Sequence, residues 1–153
     1  MIVLLCKHSK MAQDNTLDYY LKITWQSLAN RYNQLAVKQG ITQATGYLLI
    51  NIRKEGTAVT QLANLLGVKS TSLSRILSGM EKQGLIYRQA DSRDKRSVRI
   101  FLTEEGQRKR ELAKDIVRNF NKYCESHMKE TDRIKLIELL KRLNELTIKY
   151  NPD

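Results

Sequence analysis

The sequence predicts a mainly α protein with a small β-hairpin. Apolar residues recur at steps of three and four along most of the chain. The period then falls to two over residues 85–102. The only proline is Pro152, so nothing inside the chain is forced to break a helix. At 153 residues there is room for one domain, 1–153, with a sizeable core.

The elements follow in order. Leu17, Leu21, Trp25, Leu28, Tyr32 and Leu35 stripe a first helix over about residues 15–39. Asn15 or Thr16 is its candidate cap, and Gly40 its stop. Thr42 caps a second helix, which draws Tyr47, Leu48, Ile50 and Ile52 into a mixed core before Gly56. A short third helix covers Val59 to Leu66. A fourth runs from about Ser70 to Gln83, with Leu73, Ile76, Leu77 and Met80 inward and Gly84 as stop. "LIYRQA" and "SVRIFL" alternate in polarity across the hexapeptide "DSRDKR", an antiparallel hairpin with an extended tip. Thr103, Glu104, Glu105 and Gly106 open a fifth helix reaching about Met128. Thr131 and Asp132 open a last one, striped by Leu136, Leu139, Leu140, Leu143 and Leu146.

Charge narrows the partner. The formal net charge is +11, which favours nucleic acid first and an acidic membrane or protein second. Residues 84–122 hold 11 cations against 6 acids, whereas residues 123–153 hold 6 of each. One basic face and one neutral, apolar-striped end is the simplest arrangement.

Within "VTQLANLLGVKSTSLSRILSGMEKQG", Ala63 lies four residues before Gly67, with Leu73 and Ile76 five and eight after Val68. This is helix-turn-helix spacing, shared in part by any packed helix pair. The small Ala63 allows a close crossing, Gly67 allows the turn, and Leu62, Leu66, Val68, Leu73 and Ile76 pack the pair. The next helix presents Lys69, Ser70, Thr71, Ser72, Ser74 and Arg75 in its first turns. Backbone N–H groups and hydroxyls there suit phosphate, and Arg suits guanine edges. Ser70 also fits an N-cap.

The tip carries Asp91, Arg93, Lys95 and Arg96. Alone it would be a solvated loop. Beside a helix-turn-helix, Arg93 suits a minor groove, and Lys95 and Arg96 suit phosphates. Asp91 is placed to orient a guanidinium, of Arg93 or of Arg96.

A helix-turn-helix followed by "DSRDKR" and "SVRIFLTEEG" resembles the MarR family of bacterial transcriptional regulators, from about Leu17 to Ile148. The resemblance implies a winged helix-turn-helix part over about residues 42–102. It implies dimerisation helices over about 15–39 and 103–150, a homodimer, double-stranded DNA as partner and a cytoplasmic location. The "STSLSR" helix would enter a major groove and the Arg93 loop a minor one. A repressor on a pseudo-palindromic operator, released by a small effector, is the simplest function. A protein-interaction module and a non-specific architectural nucleic-acid binder are the alternatives.

Family members answer to small aromatic or anionic ligands, or to cysteine oxidation. Tyr19, Tyr20, Trp25, Arg31, Tyr32 and Tyr47 are the candidate effector contacts, being aromatic or cationic residues of the first two helices. Cys6 and Cys124 are far apart and suggest a reduced compartment; Met11 is an alternative start that would remove Cys6. Cys124 is an inert thiol by default. No cofactor or metal is expected, because His8 and His127 lack partners at ligand spacing. With neither a glycine-rich phosphate loop nor a nucleophile elbow, the chain is not expected to be an enzyme. No run approaches transmembrane length.

Overall fold

A computed structural model describes residues 16–91 and 97–152, with the Ser70 side chain excepted. Its elements are α1 (Leu17–Val37), α2 (Gln43–Asn51), β1 (Thr57–Ala58), α3 (Val59–Leu66), α4 (Ser70–Lys82), β2 (Ile86–Ala90), β3 (Val98–Leu102), α5 (Glu104–His127) and α6 (Glu130–Lys149). The mainly helical class with one hairpin is as expected. The first-helix candidate Asn15, the residues Cys6, His8 and Met11, and the tip residues Arg93, Lys95 and Arg96 lie outside the described residues.

The helices begin where the local chemistry satisfies their first N–H groups. Thr42 Oγ1 accepts from the Thr45 N–H at 3.1 Å and caps α2. Thr103 Oγ1 accepts from the Gly106 N–H at 3.0 Å and caps α5, whose first turn carries Glu104 and Glu105 toward the positive helix end. At α4 the expectation needs correcting: Lys69, not Ser70, is the N-cap residue. The Lys69 carbonyl accepts from the Ser72 and Leu73 N–H groups at 3.0 and 3.1 Å, so Ser70 is already helical. Thr16 holds the N-cap position of α1 without a side-chain cap bond.

The sheet has a third strand that the sequence pattern does not reveal. Its order is β1-β3-β2, all antiparallel. In the hairpin, Ile86 pairs with Leu102 and Ala90 with Val98; on the other side of β3, Thr57 pairs with Ile100. Two residues are too few to show a period, which is why β1 is silent in sequence. Thr57 is buried, and its hydroxyl accepts from the Arg53 N–H at 2.9 Å.

The core gathers Leu48, Leu49 and Ile52 of the second-helix region, Leu62 of α3, Leu73, Leu77 and Met80 of α4, and Ile100 of β3, all fully buried. The helix-turn-helix therefore shares its core with the sheet. Gly67 takes φ +61° at the end of α3, the left-handed turn expected of it. Leu66 and Ile76 pack at the core margin, but Val68 remains exposed because it lies in the turn, bonded through its N–H to the Ala63 carbonyl. Tyr47, expected in the core, is also exposed.

The flanking helices are different. On α1, Ala36 is the buried residue, while Leu17, Leu21 and Trp25 stay exposed. α6 buries no residue, although Leu136, Leu139, Leu140 and Leu146 stripe it.

Two glycines in helices test this packing. A Cβ on Gly106 would overlap the Leu85 carbonyl oxygen, whereas one on Gly79 would meet nothing within 4 Å. Gly106→Ala should cost about 1–3 kcal/mol in urea unfolding through overpacking. Gly79→Ala should add about 0.5–1 kcal/mol by reducing the freedom of the unfolded chain and favouring the helix.

Candidate nucleic-acid interface

α4 is two-faced. Leu73, Leu77 and Met80 hold it to the core, which leaves Lys69, Thr71, Ser72, Ser74 and Arg75 exposed along its first turns. The Lys69 side chain makes no cap bond at its N-terminus, and among the described residues only the Ser72 and Leu73 N–H groups are taken up, by the Lys69 carbonyl, so the helix start suits an anion. Apart from Ser70, whose side chain lies outside the description, the sequence-expected residues of this helix are thus all accessible.

The hairpin is fixed from both faces of its strands. On the core side, Arg88 Nε lies 3.1 Å from Glu81 Oε2, and its Nη2 donates to Ser78 Oγ at 3.1 Å. Both partners stand on the C-terminal half of α4. On the opposite face, Arg99 Nη1 donates to Asp91 Oδ2 at 3.0 Å. Its Nη2 donates to the Gly56 carbonyl at 2.8 Å, and its Nε to the Glu55 carbonyl at 3.2 Å.

Asp91 was expected to orient Arg93 or Arg96. Arg93 and Arg96 lie outside the described residues; among the described residues Asp91 pairs with a third arginine, Arg99. The pleat explains this contact. Arg99 pairs with Gln89, and Asp91 lies two residues beyond Gln89 on the same face, so Arg99 reaches it diagonally. The Asp91 N–H donates to the Ser97 carbonyl at 2.9 Å and closes the strand pair just before the tip. Arg93, Lys95 and Arg96, which follow in sequence, are outside the described residues.

Next to Arg99 on the same face, Phe101 stacks on Tyr87 with centroids 5.3 Å apart and planes 14° apart. Gly56 lies against the Phe101 ring. A Cβ there would approach the ring to 2.5 Å, and Gly56 also takes φ +79°.

The charge divides more finely than one basic face. On α5, Arg108 pairs with Glu105 at 2.6 Å, Lys114 with Glu111 at 2.8 Å and Arg118 with Asp115 at 2.9 Å. Hydrogen bonding from Arg108 holds the Glu105 carboxyl below its ordinary value, and Lys114 does the same for Glu111. These are solvated i,i+3 pairs, worth little to stability. Each pairs a cation with an acid already counted in the balance over residues 84–122, so the α5 cations have near acids, whereas the first turn of α4 holds none.

The effector candidates separate into groups. Trp25, Tyr32 and Tyr47 line a cavity of about 260 Å³ between α1, α2 and α5, closed by Gly46, Ile50, Ala113 and Ile116 among others. This explains the exposure of Tyr47. Arg31 lines a neighbouring cavity of about 670 Å³ with Lys38, Phe120 and Tyr123. Tyr32 and Ile116 border both. Burial, then the charge of Cys124, pushes the Tyr32 hydroxyl above its ordinary range. Tyr19 and Tyr20 stack edge to face at 5.4 Å and line neither cavity. Among the described residues no group of His, Cys, Asp and Glu could hold a metal, and no helix is long and apolar enough to cross a membrane.

A helix-turn-helix, an exposed polar leading turn and a braced basic hairpin define a winged-helix DNA-binding protein. The model of the MarR family matches residues 39–97. The organic hydroperoxide resistance transcriptional regulator of Bacillus subtilis (strain 168) is 33% identical over 111 residues, 72% of this chain and 76% of that protein. The chain belongs to the MarR family and is a DNA-binding transcriptional regulator, not an enzyme. In fold it is similar to S. aureus MepR, solved in complex with DNA, at TM-score 0.77 and 21% identity over 86% of this chain and 98% of that one. It is likewise similar to CouR from Rhodococcus jostii RHA1, solved with p-coumaroyl-CoA, at TM-score 0.76 and 22% identity over 88% and 95%.

The residues missed in sequence are Arg88, Arg99 and Gly56. Alternation put Arg88 and Arg99 in strands, but nothing local named their partners, which lie on α4 and before β1. Gly56→Ala should cost about 1–3 kcal/mol for its backbone conformation alone, with a further loss from the ring contact. Adding Phe101→Leu should recover only the second part, as read by urea unfolding.

Proposed function

We propose that the protein is a homodimeric repressor that binds a pseudo-palindromic operator in the cytoplasm and is released by a small apolar effector. The observation that carries the DNA reading is the joint presentation of the hydroxyl- and cation-bearing start of α4 with a hairpin braced directly onto that helix. The start of α4 enters a major groove, where Arg75 reads base edges and Lys69, Ser70, Thr71, Ser72 and Ser74 meet phosphates or bases. The hairpin tip places Arg93 at a minor groove, with Lys95 and Arg96 on phosphates.

The dimer is supported by the apolar stripes of α1 and α6, which the described residues leave largely exposed. A two-fold pair sets two α4 helices on half-sites about one helical turn apart. Arg75→Ala should weaken binding to a selected operator by about 1–3 kcal/mol and relax the preference at its base. Arg93→Ala should weaken binding and flatten its salt dependence. Gel shifts on selected and random duplexes check both. Equal affinity for the two duplexes would favour an architectural binder, and no binding at low salt an interaction module.

Effector release is supported by the cavity at Trp25, Tyr32 and Tyr47. None of its lining residues carries a charge, so a neutral planar aromatic fits it better than a carboxylate. The same α5 that lines the cavity at Ala113 and Ile116 starts at the wing. There Thr103 Oγ1 donates to the Gly84 carbonyl at 2.6 Å, and the Thr103 N–H donates to the Leu85 carbonyl at 3.1 Å. Movement of α5 at the cavity therefore reaches the junction of α4 and β2. Trp25 is the only tryptophan, so its emission reports on this site. Titration with 1-naphthol should quench it and lower operator affinity, with 1-naphthoate at least roughly tenfold weaker. Tight binding of naphthoate, lost in Arg31→Ala, would move the effector to the neighbouring cavity.

A further inference from the structure

We propose that Arg99 is a positioning residue for DNA binding: it locks the base of the wing to the turn that leads into the helix-turn-helix. This rests on the reading of the hairpin as a wing that touches DNA.

The geometry is a three-way clamp. One guanidinium donates to Asp91 Oδ2 at 3.0 Å, to the Gly56 carbonyl at 2.8 Å and to the Glu55 carbonyl at 3.2 Å. Asp91 is the last described residue before the tip. Glu55 and Gly56 immediately precede β1, and β1 runs straight into α3. A single side chain therefore spans the two parts that must meet one duplex together. The Asp91 side chain is 14% exposed and that of Arg99 29%, so the ion pair is better shielded than an ordinary surface pair.

The residue type matters. Guanidinium presents its donors in a rigid planar fork, which suits three acceptors held in fixed places. A lysine ammonium at the end of a flexible stem keeps the charge but not that geometry. The backbone carbonyls cannot move away from the clamp without disturbing the Thr57–Ile100 pairing. The orientation of the hairpin base is thereby referred to the entry of α3 and, through the shared core, to α4.

The test is a double-mutant cycle on the full-length protein with operator DNA. Arg99→Gln and Arg99→Lys should each weaken binding roughly tenfold, the size of a lost group of charge-assisted contacts. Combining Arg99→Gln with Arg93→Ala should add less than about twofold to Arg99→Gln alone, because a wing that is not positioned has little left to lose. Additive losses, with Arg99→Lys close to wild type, would mean that Arg99 meets phosphate directly, and the positioning role fails. Circular dichroism separates the folding contribution. Should Arg99→Gln unfold, the isosteric Asp91→Asn takes its place in the cycle; unfolding of both would make the clamp a folding element and overturn the proposal. Weaker binding in Arg93→Ala with none in Arg99→Gln rejects the clamp alone. Unchanged affinity in Arg93→Ala rejects the wing contact itself, and the clamp with it.

Discussion

The placing of the hairpin against the helix-turn-helix depends on β3 being paired along both edges. Without β1 it would be one arm of an isolated hairpin, a unit of marginal stability in water. With β1 it becomes the central strand, and Ile100 is driven fully into the core beside Leu62, Leu73 and Met80. That one side chain is worth about 1.5–3 kcal/mol of burial. It also fixes register, since a slip by one residue would expose Ile100 and bury Arg99. Arg88 and Arg99 act on top of this frame. Each uses a planar guanidinium to tie one strand to a different element, α4 in one case and the turn before β1 in the other. Two of the cations that make the hairpin look like a generic basic patch are thus spent on holding its shape.

How much of this was legible beforehand follows from the range of each interaction. Periodicity and caps are local, so α3 was read to the residue and Thr42 and Thr103 were named as caps. The hairpin register is set by two alternating runs and a tip of known length, which is also local. β1 was not legible because two residues carry no period. The contact of Asp91 with Arg99 was not legible for a different reason. It forms across the strands, between residues eight apart, and sequence proximity points only to the tip arginines. The N-cap of α4 was misplaced by one residue because Ser70 has the right chemistry for the position, yet the chain turns one residue earlier, at Lys69. On the effector side, Trp25, Tyr32 and Tyr47 converge because α1 and α2 cross. Tyr19 and Tyr20 stand about one and a half turns before Trp25 on α1 and line neither cavity.

The division of charge follows the division of labour. On α5 the cations alternate with acids at i,i+3 and cancel locally, which leaves a helix with little far field. On α4 the first turn holds no acid at all, so Lys69, Arg75 and the helix dipole act in the same direction. A count of cations alone would point to α5, which carries six, but it also carries five acids. Pairing shows instead that field strength at a surface depends on which cations lack a near acid, and the start of α4 is richer by that measure.

The apolar surfaces divide in the same way. A single chain that buried the stripes of α1 and α6 on its own core would have no reason to keep Leu17, Leu139, Leu146 and Ile148 more than half exposed, yet each is. Scattered exposed leucines need no explanation, but stripes along two helices of 21 and 20 residues form continuous faces. The winged core, by contrast, is closed: its largest side chains are fully buried without help. The chain therefore contains one part that folds around its own interior and two helices whose apolar faces extend beyond it. Rigid presentation of α4 belongs to the first part. In the proposed dimer the spacing between two such helices belongs to the second, so a change at α1 or α6 would alter which DNA is bound without touching α4 or the hairpin.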